Sequence, residues 1–395
     1  MARHAADFGV RIDGPIAVDM KRVKARKDAI VRDSNEGVRK WLESTPGVTV
    51  IRGQARFEAA KRLRVGEEAI AAERIFVNVG GRAVVPSIPG LAATAYRTNS
   101  SMMDVDFLPE HLIVLGGSYV GLEFAQMYAR FGSRVTVIEK GPKLVAREDE
   151  WVSDAIRRLL ESEGIAVQTA AEVVRTAPDG SGVLVQLAGG HEIRGSDLLI
   201  AIGRVPNTHD LGLDRAGVSV DDKGYIQVDD RLQTNVPGIW ALGDCNGKGA
   251  FTHTSYNDHE IVAANLLQGD TRLVSDRIPA YALFIDPPLG RAGLAERAVR
   301  KAGKKALVCE LPMTRVGRAK ERGETFGSMR ILVDQESKRI LGASLLGIEA
   351  DEVVHVVLDV MYAKAPFTVI QRAMHIHPTV AEFLPTMLAD LRPLD

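Results

Sequence analysis

In "VDMKRVKARKDAIVRDSNEGVRKWLEST", Val23, Ile30, Val31, Val38 and Leu42 recur at roughly helical spacing, which predicts a long amphipathic helix. Runs of a different texture follow. "VTVIRG", "ARFEAA" and "RIFVNVGG" are strand-like, and the proline-rich "VVPSIPG" reads as a domain edge. Next, "HLIVLGGSYVGLEFAQMYARFGSRVTVIEK" presents an apolar strand, a glycine turn, a helix and a second strand, the order of a βαβ unit. Short strands and turns then lead through "SDLLIAIGRVPN" and "GIWALGDC" to a helix at "HEIVAANLLQG". From residue 278 the pattern changes again. "CELPM", "SMRILVD" and "RILGASLLG" are strand-like, a helix covers residues 350–363, and "HIHPTVAEFLPT" closes what reads as a separate α+β domain. No solenoid-type repeat is present.

Composition narrows the class. The 395 residues are 46% hydrophobic and 26% charged, ordinary globular material long enough for two or three domains. A net charge of −1 provides no field to recruit nucleic acid or an anionic membrane, so a small-molecule substrate is expected. The basic run Lys21, Arg22, Lys24, Arg26 and Lys27 reads as a solvated helix face. No stretch approaches the roughly 18 apolar residues of a membrane span, and "MARHAADFGV" has no apolar run behind its charge. Cys245 and Cys309 are the only cysteines and form no close pair, so neither a disulfide framework nor a zinc site is suggested. These features predict a cytoplasmic protein with no metal centre.

Three short stretches carry candidate chemistry. In "VLGGSYVG", Gly116 suits the tight turn out of a strand and Gly121 the close packing of helix on strand, with Ser118 where a second glycine is usual. The helix start offers free N–H groups to a pyrophosphate. Glu139, 23 residues beyond Gly116, ends the next strand, where an acid can bind a ribose 2′-hydroxyl. A carboxylate there repels a 2′-phosphate and favours NAD, while Lys140, Lys143 and Arg147 keep NADP open. In "GIWALGDC", Asp244 follows a strand, where it can accept hydrogen bonds from a polyol. In "HIHPTVAEFLPT", His377 precedes Pro378, which is well tolerated at a first helical position. Glu382 is then expected in the first turns of a helix, able to grip the imidazole and raise its basicity. Alone, such a corner is an ordinary helix start.

Together, "LIAIGRVPN", "GIWALGDC", "AFTHTSYND" and "MHIHPTVAE", in this order and with the nucleotide fingerprint, resemble the class I pyridine nucleotide-disulfide oxidoreductases, which include dihydrolipoamide dehydrogenase and mercuric reductase. The resemblance covers nearly the whole chain. It implies an α/β protein with Rossmann-like FAD-binding (1–107 and 207–277) and NAD(P)-binding (108–206) domains, and a C-terminal α+β dimerisation domain (278–395). It implies FAD and NAD(P)H as cofactors and a homodimer built on the C-terminal domain. Asp244 would bind the flavin's ribityl chain, with Phe251 and Thr252 near the isoalloxazine. Gly80 and Gly81 would line the flavin, and Gly203 would touch the nicotinamide nucleotide. His377, held by Glu382, would be the acid/base of thiol chemistry.

The family's C-x-x-x-x-C pair and its first flavin βαβ unit are absent from these residues. The flavin domain is therefore expected to be incomplete, and the chain to be truncated or given a misplaced start. A different class remains open: a non-catalytic nucleotide-binding dimer subunit. Without paired cysteines near "LADLRPLD", mercury chemistry is not expected.

Overall fold

The computed structural model describes residues 2–394. The chain divides into two compact units, one of residues 1–20, 86–202 and 278–395, the other of residues 21–85 and 203–277.

The larger unit holds a four-stranded parallel sheet. Its strands run in the order Asp197–Ile200, His111–Leu115, Arg134–Ile138, Ala166–Gln168. Every residue of His111–Leu115 is buried, as a central strand covered on both faces requires. On one face Ile113, Leu115, Ile138, Leu198 and Ile200 pack with Val183, Val185, Leu187 and Ile193, which belong to an antiparallel sheet of three strands. The helix Tyr119–Phe131 connects the first two strands in sequence, burying Leu122, Phe124, Ala125 and Tyr128, and ends at Gly132 with a φ of 122°.

In the same unit, the C-terminal residues form a six-stranded antiparallel sheet in the order Ala280–Leu283, Leu289–Gly293, Ile340–Leu346, Ser328–Asp334, Ala306–Pro312, Arg392–Pro393. Alternate residues of its strands, among them Ile331, Val333, Ala343 and Leu345, build the core with Val353, Val357, Leu384 and Leu388 from the helices.

The smaller unit holds a two-stranded parallel sheet, Ile75–Val77 beside Ile239–Ala241, an antiparallel meander, Ala55–Ala59, Arg62–Val65 and Glu68–Ala71, and the antiparallel pair Gly81–Ala83 with Arg204–Pro206. Phe57, Ile75, Val77, Ile226, Ile239 and Cys245 form its core.

The long amphipathic helix is present as Met20–Ser44, with Ile30, Val31, Val38 and Trp41 all more than half exposed. Two sequence expectations need correction. "VTVIRG" forms no strand: Val48, Val50 and Ile51 are exposed, and no neighbouring strand takes up their backbone groups. The helix expected at "HEIVAANLLQG" already begins at Thr252, because its first turns, "THTSYND", are polar and carry no apolar period. Among the described residues no helix is long and apolar enough to cross a membrane.

Candidate active site

The glycine turn after His111–Leu115 is closed so tightly that its residue types follow from space alone. Gly116 has a φ of 118°, and a Cβ there would stand 2.3 Å from the Ala201 carbonyl oxygen. A Cβ on Gly121 would stand 2.1 Å from the Gly116 carbonyl oxygen, so helix and turn approach as closely as backbone permits. Ser118 is the exposed N-cap residue of the helix and its hydroxyl makes no cap bond, so the side chain does not occupy the helix start where an anion would sit. Glu139 accepts the Gly117 N–H at 2.7 Å and the Gly141 N–H at 2.6 Å, so the carboxylate is fixed beside the turn. The Lys140 ammonium is paired with Glu172 at 2.7 Å and the Lys143 ammonium donates to the Glu148 carbonyl at 2.9 Å. This arrangement fits a dinucleotide: a helix start for the pyrophosphate and an acid at the adjoining strand end.

Behind the turn, the loop after Glu139 folds back on it. Val145 N–H donates to the Gly117 carbonyl at 2.8 Å, and the loop ends at Glu148 and Asp149, both buried. Tyr119, first residue of the helix, and Tyr281 each donate to Glu148 Oε1 at 2.7 Å. Burial beside Glu148 raises both phenols, that of Tyr281 to about 12. Sequence reasoning missed Glu148 and its partners because they come from distant parts of the chain.

In the smaller unit, Gly243 to Asn246 form one helical turn after the strand Ile239–Ala241, and Asp244 remains partly exposed on it. Its Oδ2 lies 3.2 Å from Arg204 Nη2, which also donates to the Gly81 carbonyl at 2.6 Å. Gly80 has a φ of 66° and open space where a Cβ would stand. Phe251 caps the helix Thr252–Leu267, its ring stacked on His253 at 5.2 Å, and Thr252 is exposed at the first position. These residues fit the ribityl and ring end of a flavin. Among the described residues this unit has no second glycine turn of the phosphate-binding kind. Gly203 lies in this unit too, with a φ of 140° and its carbonyl accepting from Val84 N–H.

Asp258 is the residue here that sequence reasoning overlooked. It is buried, accepts the Gly243 N–H and the Asn246 side-chain amide at 2.8 Å each, and pairs with Arg277, so it holds the turn that carries Asp244. An acid inside a helix with no visible partner gives no such signal in the sequence.

His377 Nδ1 lies 2.9 Å from Glu382 Oε2 and 3.1 Å from Oε1. The imidazole is 79% exposed and the carboxylate 15%, so the carboxylate is anchored and the imidazole faces outward. The backbone differs from expectation in one respect. The helix begins only at Phe383, so Pro378 is not its first residue and Glu382 is its N-cap, because the His377–Pro378 turn comes before any helical backbone. Met374 and Ile376 beside it are 98% and 79% exposed. Neither cysteine belongs to a site. Both are buried, and burial raises both thiols, that of Cys309 to about 12. No cluster that could hold a metal occurs among the described residues.

A paired glycine turn and strand-end acid, a flavin-compatible turn and a carboxylate-held histidine suit a nicotinamide- and flavin-dependent oxidoreductase, and the chain belongs to the pyridine nucleotide-disulphide oxidoreductase family. The family profile of that description matches residues 6–258, and the family's dimerisation domain matches residues 279–388. The chain is 37% identical to the probable pyridine nucleotide-disulfide oxidoreductase RclA of Escherichia coli, over 93% of this chain and 84% of that protein. A solved structure of that flavoprotein disulfide reductase superposes with a TM-score of 0.90, covering 94% of this chain and 86% of its own. Identity to the dihydrolipoyl dehydrogenase of Thermus scotoductus is 31%, over 96% and 82% of the two chains. Identity to the mercuric reductase of Streptomyces lividans is also 31%, over 97% and 83%. The protein is thus an NAD(P)H:acceptor oxidoreductase of the disulfide reductase family, whose cofactors are FAD and NAD(P)H.

Proposed function

We propose that the protein carries hydride equivalents from NADH through FAD to a disulfide or similar small acceptor, as a cytoplasmic homodimer. The observation that carries this reading is the glycine turn at Gly116, Ser118 and Gly121 with Glu139 fixed beside it. When bound, the nicotinamide supplies hydride and the flavin passes the electron pair to the acceptor. The chain's own part is to bind, orient and move protons. The helix start after Ser118 takes the pyrophosphate, and Glu139 takes the ribose. Preference for NAD over NADP follows because a carboxylate stands at that position and Lys140 and Lys143 are engaged elsewhere, while exposed Arg147 is the basic side chain that would favour NADP. Asp244 would hold the ribityl chain from its fixed turn, Phe251 and Thr252 would adjoin the ring system, Gly80 would leave room for it with Gly81 alongside, and Gly203 would contact the nicotinamide nucleotide.

His377 gives or takes the proton at Nε2, since Nδ1 is committed to Glu382. We assign residues 108–206 to the nicotinamide domain, 1–107 and 207–277 to the flavin domain, and 278–395 to dimerisation. Exposed Phe284, Val369, Met374 and Ile376 support a self-association surface on the last of these. The cytoplasm suits a protein whose thiols are reduced and buried.

A second reading has its own observation. Both thiols of these residues are buried, which is the feature behind the alternative of a nucleotide-binding dimer subunit without disulfide chemistry. Absorbance of the purified protein separates the two. Bound flavin with NADH-dependent bleaching supports the oxidoreductase, whereas colourless protein that still binds NADH supports the subunit. Binding of neither NADH nor NADPH removes both.

A further inference from the structure

The larger unit contains a buried ionic cluster that the proposed reaction does not use. Glu148 is fully buried, with Arg291 Nε 3.8 Å from its Oε2, and the Arg291 side chain is only 3% exposed. Arg291 lies on the strand Leu289–Gly293 of the C-terminal sheet. Its guanidinium also reaches Asp149 Oδ2 at 3.3 Å and bonds Ser344. Asp149 Oδ1 accepts the Glu296 N–H at 2.9 Å. A cluster of this kind is costly to bury, and every member comes either from the loop behind the glycine turn or from the C-terminal domain.

Two links join it to the nucleotide site. Tyr119 follows Ser118 directly and brings its hydroxyl to the same Glu148 oxygen that Tyr281 reaches from the C-terminal strand Ala280–Leu283. The two rings meet edge to face at 5.6 Å. The second link is the backbone bond from Val145 to Gly117. Both links end at the start of the nucleotide helix, beside which Glu139 is fixed.

We propose that Glu148, bonded by Tyr119 and Tyr281 and facing the Arg291 charge, is a positioning residue that fixes the start of the nucleotide helix against the C-terminal sheet, so that affinity for the nicotinamide nucleotide is set in part by Tyr281 and Arg291. This rests on the nucleotide reading of the Gly116 turn. Tyr281 is the cleanest probe, because removing its hydroxyl touches neither the turn nor Glu139 and Phe keeps the ring.

The test is NADH titration of the full chain by fluorescence, for the wild type, Tyr119→Phe, Tyr281→Phe and the double variant, with melting curves for each. Glu148→Gln, which keeps the shape and loses the charge, is a further variant. Both single variants are expected to weaken NADH binding by about fivefold or more, the usual scale of coupling between two sites, and the double variant no more than the weaker single one. Tyr281→Phe and Glu148→Gln that melt lower but bind NADH like the wild type would reduce the cluster to a structural pin and overturn the proposal. A wild-type chain that binds no NADH would overturn the nucleotide reading and this proposal with it.

Discussion

At the scale of single residues, Glu139 is the sharpest case, because both its oxygens already accept backbone N–H groups and the carboxylate cannot swing aside for a 2′-phosphate. Glu139→Ala is expected to weaken NADH by about tenfold, the worth of a hydrogen bond to a charged group, and to leave NADPH equal or better; parallel titrations check it. The two thiols behave oppositely to a redox pair. Burial raises both, so at pH 8 each is protonated in the native protein and lacks the thiolate needed to attack. Ellman's reagent is expected to modify neither until denaturant is added. Fast labelling of Cys245 in the native state would contradict this. Gly116, Gly121, Glu139 and Asp244 could be chosen from the sequence because each sits at a motif position with a short-range reason. Glu148, Arg291 and Asp258 could not, because a buried charge declares itself only when its partner is beside it.

At the scale of elements, what periodicity foretold is what periodicity governs. The central strand His111–Leu115 and the helix after it read directly from the sequence, as did the helix Ala350–Tyr362, because their apolar residues face a core made within the same unit. "VTVIRG" misled because β-branched residues suit a strand only where a neighbour pairs with it, and the polar first turns of Thr252–Leu267 hid the true start of that helix. That start matters, since it places Asp258 inside the helix and facing the turn of Asp244. Asp258→Ala leaves the buried Arg277 without its carboxylate, keeping only the Asn257 bond, and frees two donors at the turn. A loss of about 3 kcal/mol in urea unfolding is expected, together with weaker FAD retention. Unchanged stability would mean that Gly243 and Asn246 hold the turn without it.

At the scale of the whole molecule, the C-terminal domain carries an outward imidazole flanked by Met374 and Ile376, apolar side chains almost fully in water. An interface that covers them would place His377 against a partner's chemistry, and sedimentation at micromolar concentration is expected to show a dimer. Met374→Lys should shift it toward monomer. The histidine itself has a conditional role. A base contributes to a rate only where there is a proton to move, and the thiols of these 395 residues are buried away from any acceptor. That proton is therefore the acceptor's, and His377→Ala is expected to cost roughly 10²–10⁴-fold in kcat for NADH-dependent reduction of a disulfide, the scale of a lost acid/base, with Glu382→Gln costing less, because the imidazole remains but loses its carboxylate. A His377→Ala protein as active as the wild type would reduce the His377–Glu382 pair to a structural corner.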